Sequence, residues 1–263
     1  MFKALLARFK EGCRTGAFPP ADPYLPPDFR GRPQIDADTS AEDVETMKAV
    51  CPVADALSHK DGVACLDMGR CTFCGRCAEA CAKVRFTKEY RLGVFRREDL
   101  IVRAGEGRYE PPVQTDPAAK ALRGSLHLRE VSAGGCCACE LDANVLGTPA
   151  WDMARFGIRF AASPRHCDAI YLTGPVSGNM QLALDKTYAA APDPKFLVVA
   201  GACAISGGLY AQGRLPSVPA LYIPGCPPHP ATTLEALLRF VGDPAVSAKV
   251  KKRRAVSNLR VVV

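Results

Sequence analysis

The stretch Gly-Gly-Cys-Cys-Ala-Cys-Glu-Leu-Asp occupies residues 134–142 and places three cysteines within four positions. Two further turns carry one cysteine each, Gly-Ala-Cys-Ala at 201–204 and Pro-Gly-Cys-Pro-Pro at 224–228. Each turn follows an apolar run typical of a buried β-strand. Because the carboxyl ends of parallel strands meet at one edge of a sheet, we expect these thiols to lie together. The working hypothesis is that they hold an iron–sulfur cluster.

The chain around these turns alternates between strand-like and helix-like segments. Helical periodicity alternates with short apolar runs, which is typical of a parallel sheet flanked by helices. The sequence therefore predicts an α/β fold whose site lies at the carboxyl ends of the strands. Strands are predicted at residues 126–131, 169–173, 196–200 and 220–223, and helices at residues 145–156, 180–191 and 233–241.

Length and composition favour two globular domains without a membrane span. The chain has 263 residues, of which 48% are hydrophobic, and no apolar run reaches the roughly 18 residues that a membrane helix needs. The 13 cysteines are read as metal or redox chemistry in a reducing, cytosolic compartment. With 7% aromatic residues and no stacking motif, nucleic-acid binding is disfavoured despite the net charge of +7.

A second cysteine pattern lies in the first half of the chain. Cys71, Cys74, Cys77 and Cys81 form a CxxCxxCxxxC run, and Cys51-Pro52 stands one predicted hairpin upstream. This is the spacing of bacterial ferredoxins, in which three close cysteines and one remote cysteine before a proline hold a cluster. The spacing assigns Cys51 to the set begun by the first three cysteines of the run. Four spaced cysteines also bind zinc, which remains the alternative.

Cys81 would serve a second ferredoxin-type cluster, since the fourth cysteine of each run ligates the other cluster. The other ligands of that cluster would stand ten, seven and four residues before Cys51. Those positions hold Ala41, Val44 and Met47, so the second cluster site is predicted to be vacated. Whether Cys81 binds anything is left open.

Residues 30–95 thus resemble a two-cluster ferredoxin domain that has kept one cluster. The lead-in at residues 25–33, Leu-Pro-Pro-Asp-Phe-Arg-Gly-Arg-Pro, resembles the ferredoxin-type subunit of respiratory complex I and of formate hydrogenlyase. Residues 126–242 resemble the small subunit of nickel–iron hydrogenases, of the membrane-bound formate hydrogenlyase or energy-converting type. They also resemble the related complex I subunit that carries the last cluster before quinone. Besides the three cysteine turns, this resemblance rests on Pro-Arg-His-Cys-Asp at 164–168, Thr-Gly-Pro-Val at 173–176 and Gly-Gly at 207–208.

The resemblance implies which cysteines hold the second cluster. In both branches of the family an apolar–acidic pair follows the second ligand, and Leu141-Asp142 matches that pair. The second ligand is then Cys139, the first is Cys136 as in membrane-bound hydrogenases, and Cys137 is a bystander thiol. The complex I branch would place the first ligand at Ala138, which has no donor atom. The implied ligands of this 4Fe-4S cluster are Cys136, Cys139, Cys203 and Cys226.

The predicted organisation has five parts along the chain. An amphipathic helix and extended leader (1–34) precede a small α+β ferredoxin-like domain (35–95), and a linker or β-ribbon (96–124) follows. Next come a flavodoxin-like α/β domain (125–243) and a basic tail (244–263). The amphipathic helix at the start of the leader is expected to dock on a partner or on a membrane. The tail either contacts an acidic partner or is solvated.

Together the two resemblances imply an electron-transfer subunit carrying two 4Fe-4S clusters in series, with no complete active site of its own. The expected partners are a hydrogenase large subunit or a complex I-like large subunit, with further membrane-arm or electron-donor subunits. The expected location is the cytoplasmic face of the cell membrane, reached through those partners. The alternatives are a complex I-like quinone oxidoreductase subunit whose large partner lacks nickel, and a non-redox zinc or assembly module.

Overall fold

The computed structural model describes residues 2–12 and 15–246. The predicted basic tail beyond residue 246 and Cys13 lie outside the described residues. In the described part, the helices are α1 (Phe2–Glu11), α2 (Ala41–Val50), α3 (Arg76–Ala80), α4 (Pro117–Ala121), α5 (Ala138–Val145), α6 (Gly178–Ala190), α7 (Ala202–Ser206) and α8 (Pro230–Phe240). The strands there are β1 (Pro33–Ile35), β2 (Leu57–Lys60), β3 (Val63–Asp67), β4 (Val84–Phe86), β5 (Ile101–Arg103), β6 (Leu126–Ser132), β7 (Ile158–Phe160), β8 (Ala169–Thr173), β9 (Phe196–Ala200) and β10 (Leu221–Ile223).

A five-stranded parallel sheet forms the centre of the second half. Its strand order is β7-β6-β8-β9-β10, and all neighbouring strands are parallel. Numbered within the sheet this is 2-1-3-4-5, the order of flavodoxin-like folds. Every residue of β8 is buried, because the central strand is covered on both faces. The predicted α/β class is confirmed.

The helices of this sheet follow the prediction in two of three cases. The segments α6 and α8 lie close to the predicted residues 180–191 and 233–241. The helix predicted at 145–156 is wrong, because α5 begins at Ala138 and ends at Val145. Gly147 and Pro149 interrupt the segment after it, which runs through successive turns. The apolar spacing that suggested one helix reflects two buried residues: Leu146, the C-cap residue of α5, and Met153, which begins a separate short 3-10 helix (Met153–Phe156).

The first half contains two small antiparallel sheets and the helices α2 and α3. Strand β1 pairs with β4, and β2 pairs with β3, which also pairs with β5. The β2–β3 hairpin lies between Cys51 and Cys71, as predicted. Strand β5 falls within the segment predicted as a linker or β-ribbon and forms an edge of this half.

The two halves pack against each other through backbone contacts. Val94 and Tyr222 form an antiparallel bridge, in which the amide of each donates to the carbonyl of the other, at 2.9 and 2.8 Å. The hydroxyl of Ser206 donates to the Gly69 carbonyl at 2.9 Å. One apolar cluster includes residues from both halves, among them Cys71 and Ile205. The cysteine loops of the two halves are therefore held in a defined arrangement.

Helix α1 lies apart from this core. It forms where it was predicted, but it buries none of its residues, and Phe2 and Phe9 are 75% and 87% exposed. Its apolar residues Phe2, Leu5, Leu6 and Phe9 therefore contact solvent in the isolated chain. Among the described residues, no helix has the length and apolar content needed to cross a membrane.

Candidate metal centres

The three cysteine turns of the second half meet at one edge of the parallel sheet, as predicted. Cys136, Cys137 and Cys139 follow β6, Cys203 follows β9 within the first turn of α7, and Cys226 follows β10. All three turns leave the carboxyl ends of their strands. Cys136 and Cys226 are exposed, whereas Cys139 and Cys203 are half-buried.

Backbone contacts hold the β9 and β10 turns together beneath the thiols. The amides of Gly201 and Ala202 donate to the carbonyls of Ile223 and Gly225, both at 2.9 Å. Gly201 has a φ of +91°, and a β-carbon there would lie 2.6 Å from Sγ of Cys139. The absence of a side chain at residue 201 thus creates the space that the Cys139 thiol occupies.

Electrostatic effects link four of the five thiols at this edge. Burial is the main cause that raises the pKa of Cys139, and Glu140, Cys226, Cys203 and Cys136 raise it further. Burial also raises the pKa of Cys203, with smaller effects of Cys226 and Cys136. Mutual effects of this kind arise between sulfur atoms that lie near one another.

Cys137 takes a different position. It is the N-cap residue of α5, with φ of +67° and ψ of 0°, a left-handed backbone conformation that is uncommon for a side chain other than Gly, Asn or Asp. The charge of Cys136 raises the pKa of Cys139, Cys203 and Cys226. The division between a ligand at Cys136 and a bystander at Cys137 stays a prediction.

One carboxylate that the sequence analysis did not single out fixes α5 against the sheet. Oε1 of Glu140 accepts hydrogen bonds from the hydroxyls of Ser132, at 2.5 Å, and Thr173, at 2.6 Å. Ser132 ends β6 and Thr173 ends β8, so Glu140 joins the start of α5 to two neighbouring strand ends. An acidic residue in the first turn of a helix is a recognisable sequence feature, because it interacts favourably with the helix dipole. The hydrogen-bond partners of Glu140 could not be recognised in this way, since they lie on strands of the sheet.

The predicted ferredoxin-type set also comes together. Burial raises the pKa of Cys77 to about 11, and Cys51 and Cys74 contribute in the same direction. Burial likewise raises the pKa of Cys71, with smaller contributions from Cys77, Cys51 and Cys74. The amide of Phe73 donates to Sγ of Cys71 at 3.2 Å, which is the type of N–H···S bond that stabilises a thiolate.

The predicted vacated site is filled by the protein itself. Val44 and Met47, on α2, are fully buried and belong to the same apolar cluster as Cys81. Sγ of Cys81 lies 3.9 Å from Oδ1 of Asp43. Helix α2 packs directly on α3, so apolar side chains occupy the space beside Cys81.

The two cysteine sets approach each other across the domain boundary. Cys74 is among the groups that raise the pKa of Cys226, after burial and Cys136. The same two loops line a crevice of about 270 Å³, to which Thr72 and Phe73 contribute from one side and Gly225 and Cys226 from the other. The boundary between the halves therefore places one ligand candidate of each set near the other.

Two further cysteines lie outside the proposed ligand sets, and one acidic residue lies beside those sets. Sγ of Cys167 donates to the Pro164 carbonyl at 3.1 Å and is buried, which fits a structural thiol. Cys65 is buried within β3. Burial raises the pKa of Asp142, which lines the crevice between the two sets. Its carboxylate is therefore placed to act on groups bound there.

The cysteine thiols of both sets are donors suited to an iron–sulfur cluster. Within the described residues, no group of three or more His, Cys, Asp or Glu side chains is arranged to enclose one metal ion. In a 4Fe-4S cluster each thiolate binds a different iron, so the four sulfur atoms stand farther apart than around one ion. The four thiols of the second set, which act on one another at one edge of the sheet, supply the donors that such a cluster needs.

Comparison with known proteins identifies the second half. The sequence profile described as "NADH ubiquinone oxidoreductase, 20 Kd subunit" matches residues 136–240. A probable membrane-bound hydrogenase subunit, mbhJ of Pyrococcus furiosus, is 31% identical over 115 residues, which is 41% of this chain and 69% of the relative. The chain belongs to the family of this 20 kDa subunit.

Two further relatives place the 20 kDa-subunit family in different complexes. Formate hydrogenlyase subunit 7 of Escherichia coli is 38% identical over 130 residues, covering 47% of this chain and 51% of the relative. A NADH-quinone oxidoreductase subunit of Citrifermentans bemidjiense is 43% identical over 111 residues, covering 40% of this chain and 64% of the relative. The chain thus spans about half to two thirds of these relatives. The three related proteins are named as subunits of oxidoreductase complexes.

The family match includes one cysteine set and excludes the other. Residues 136–240 contain Cys136, Cys139, Cys203 and Cys226, whereas the ferredoxin-type set lies entirely before them. The ligand roles of both sets, and the ferredoxin character of the first half, stay predictions.

Proposed function

We propose that this chain is an iron–sulfur electron-transfer subunit of a membrane-associated nickel–iron hydrogenase complex. It would hold two 4Fe-4S clusters, one on Cys51, Cys71, Cys74 and Cys77 and one on Cys136, Cys139, Cys203 and Cys226. The first would exchange electrons with the second, which would lie next to the active site of a large partner subunit. The meeting of the two cysteine loops at one crevice, which Thr72 and Phe73 line from one side and Gly225 and Cys226 from the other, is the observation that carries this proposal.

The chain's own residues would supply binding and insulation. Burial keeps the thiols of Cys71, Cys77 and Cys139 protonated in the metal-free chain, so metal binding would release protons. The N–H of Phe73 would stabilise the Cys71 thiolate. When bound, each cluster would accept and return single electrons. The apolar packing around Cys71 and Cys77 would keep water away from the first of them.

An exposed apolar rim beside the second cysteine set suggests where a partner docks. Leu141 is 66% exposed, Leu209 58% and Tyr210 55%, and all three lie close in sequence to a proposed ligand. Large exposed apolar side chains grouped around an exposed site are typical of protein interfaces. We assign this rim to the large subunit, and membrane association to further subunits of the complex at the cytoplasmic face.

Iron and acid-labile sulfide analysis of the anaerobically purified chain tests the two-cluster assignment. About eight irons per chain, with two interacting signals in electron paramagnetic resonance after reduction, are expected. About four irons would contradict the first or the second set, and variants lacking Cys74 or Cys226 would show which one. Stoichiometric zinc without colour would favour the non-redox module instead.

The division between Cys136 and Cys137 is tested by separate alanine variants. Cys136→Ala is expected to lose the signal of the second cluster, whereas Cys137→Ala retains it. Both residues are exposed neighbours in one turn, so each variant serves as the control for the other. The reverse outcome would overturn the ligand assignment.

A complex I-like role is the second candidate, supported by the 43% identity to a NADH-quinone oxidoreductase subunit. In that case the large partner would lack nickel and the chain would deliver electrons to quinone or another acceptor. Purifying the native complex through a tag on this chain and measuring its nickel separates the two candidates. One nickel per complex supports the hydrogenase assignment, and its absence supports the quinone assignment.

A further inference from the structure

One basic side chain lies in the crevice between the two cysteine sets. Arg30, from the leader, lines this crevice together with Phe73 and Cys226. It also covers Gly75, the residue between Cys74 and Cys77, since a β-carbon at Gly75 would lie 2.5 Å from Nε and 3.0 Å from Cζ of Arg30. The guanidinium thus contacts the loop of the first set and faces the loop of the second.

The charge of Arg30 is not neutralised by the protein. Across residues 2–12 and 15–246, no carboxylate forms an ion pair with it and no carbonyl accepts a hydrogen bond from it. Other arginines of the same half are paired, as Arg32 is with Glu106 and Arg91 with Glu89. The other charged side chains of the crevice are Asp28 and Asp142. In the described part of the chain, Arg30 has no ion-pair partner and contacts Gly75 in the loop of the first cysteine set. This placement suggests that its charge acts on the group which that loop would hold.

We propose that Arg30 is a positioning residue that raises the reduction potentials of both clusters. This inference rests on the proposed two-cluster function and deepens it. Its geometric basis is the placement of one unpaired guanidinium against Gly75 and in the same crevice as Cys226.

The charge of Arg30 would affect the reduction potentials of the clusters. Each reduction adds one negative charge to a site that four thiolates already make negative, and net charge is among the factors that set a cluster's potential. A nearby cation stabilises the reduced form more than the oxidised form. Because Arg30 contacts the loop of the first set and lines the crevice beside Cys226, its charge would act on both clusters. Its exposure to water limits the effect to a modest shift.

Redox titration of the cluster-loaded full chain, followed by electron paramagnetic resonance, tests the inference. At a fixed ambient potential, Arg30→Gln is expected to lower the reduced-to-oxidised ratio of both clusters about threefold, a shift of about 30 mV when tenfold equals 59 mV for one electron. Arg30→Lys keeps the charge and is expected to stay near the wild-type ratio. Equal shifts in Arg30→Gln and Arg30→Lys would overturn the electrostatic role.

Arg76→Gln is the matched control. Arg76 is exposed on α3, next to Gly75, but does not line the crevice, so its loss should shift the first cluster only. Asp142→Asn removes a negative charge from the crevice and is expected to shift the second cluster in the opposite direction. A shift confined to one cluster in Arg30→Gln, or no shift, would refute the proposal.

The outcomes separate this inference from the proposed function. If the wild-type chain lacks two reducible clusters, the proposed function fails before any variant is compared. If two clusters are present and assigned through the cysteine variants, unchanged potentials in Arg30→Gln refute the role of Arg30 alone.

Discussion

The buried ion pair between Arg239 and Glu235 on α8 gives a sharp test of how the two halves are held together. Nε and Nη2 of Arg239 donate to Oε1 and Oε2 of Glu235, both at 2.9 Å. Nη2 also donates to the carbonyl of Gly93 at 2.8 Å, and Nη1 donates to that of Pro112 at 3.0 Å. The side chains are only 5% and 2% exposed. Arg239 therefore ties the segment that leaves the first half to the helix that follows the Cys226 turn.

Arg239→Met would leave the Glu235 carboxylate buried without its ion-pair partner, with Arg91 acting on it only from a greater distance. Removing one partner of a buried pair costs about 3–5 kcal/mol of unfolding free energy. In a chain of this size each kcal/mol corresponds to about 2–4 °C, so the orphaned carboxylate alone should lower the apparent unfolding temperature by about 6–20 °C. The carbonyls of Gly93 and Pro112 also lose their donor, which adds to the fall in this variant and in the double variant alike. The surface pair of Arg214 and Asp185 is the control, and Arg214→Met should cost less than about 1 kcal/mol.

The double variant Glu235→Leu/Arg239→Met distinguishes the charge from the packing. It removes both charged side chains and leaves only the carbonyls of Gly93 and Pro112 without their donor. Each unpaired carbonyl costs about 1–3 kcal/mol of unfolding free energy. We expect it to recover about 6 °C or more relative to Arg239→Met, measured by circular dichroism on matched cluster-loaded samples. A double variant as unstable as Arg239→Met, or less stable, would refute the assignment of the loss to an orphaned carboxylate.

Three further predictions concern the site and its surroundings. Gly201→Ala should abolish the second cluster's signal because its β-carbon would displace the Cys139 thiol, whereas Gly178→Ala, with nothing within 4 Å, should keep it; equal signals would contradict this. Burial lowers the pKa of His229, whose Nδ1 accepts the Ala231 amide at 3.1 Å, so its stabilising cap is present above about pH 6.5 and lost as pH falls. Thermal unfolding at pH 7 and pH 5 should therefore show a loss of about 2–4 °C that His229→Asn reduces, and an equal loss in both proteins would refute it. Deleting residues 2–11 should change the unfolding temperature by less than about 2 °C, because α1 buries nothing; a larger fall in differential scanning fluorimetry would reveal an unrecognised contact.

The central strands were predictable because their environment is uniform. Strands β8 and β9 coincide with the predicted runs 169–173 and 196–200, and β10 begins one residue later than predicted. A strand covered on both faces needs a continuous apolar run, which is visible without knowledge of its neighbours. The edge strand β7 was not predicted, since three residues with one buried side chain at Ile158 carry too little pattern.

The site was predictable to the level of which turns meet, and no further. Strand order places the cysteine turns at one edge, and that order follows from alternation of strands and helices. The start of α5 depends on hydrogen bonds from Ser132 and Thr173 to Glu140, which join residues distant in sequence. The contact of Arg30 with Gly75 is of the same kind. Local patterns do not encode such contacts, and this explains why the start of α5 and the position of Arg30 were not predicted.

The packing of Val44 and Met47 beside Cys81 has a consequence for the history of this chain. Both side chains are fully buried, so replacing either one by cysteine removes core contacts, at about 1 kcal/mol or more for each carbon group lost. On the proposed assignment a second ferredoxin-type cluster would need cysteines at 41, 44 and 47 together. Every intermediate would be less stable without yet holding iron. On that assignment, a cluster lost from this site would not be regained by single substitutions.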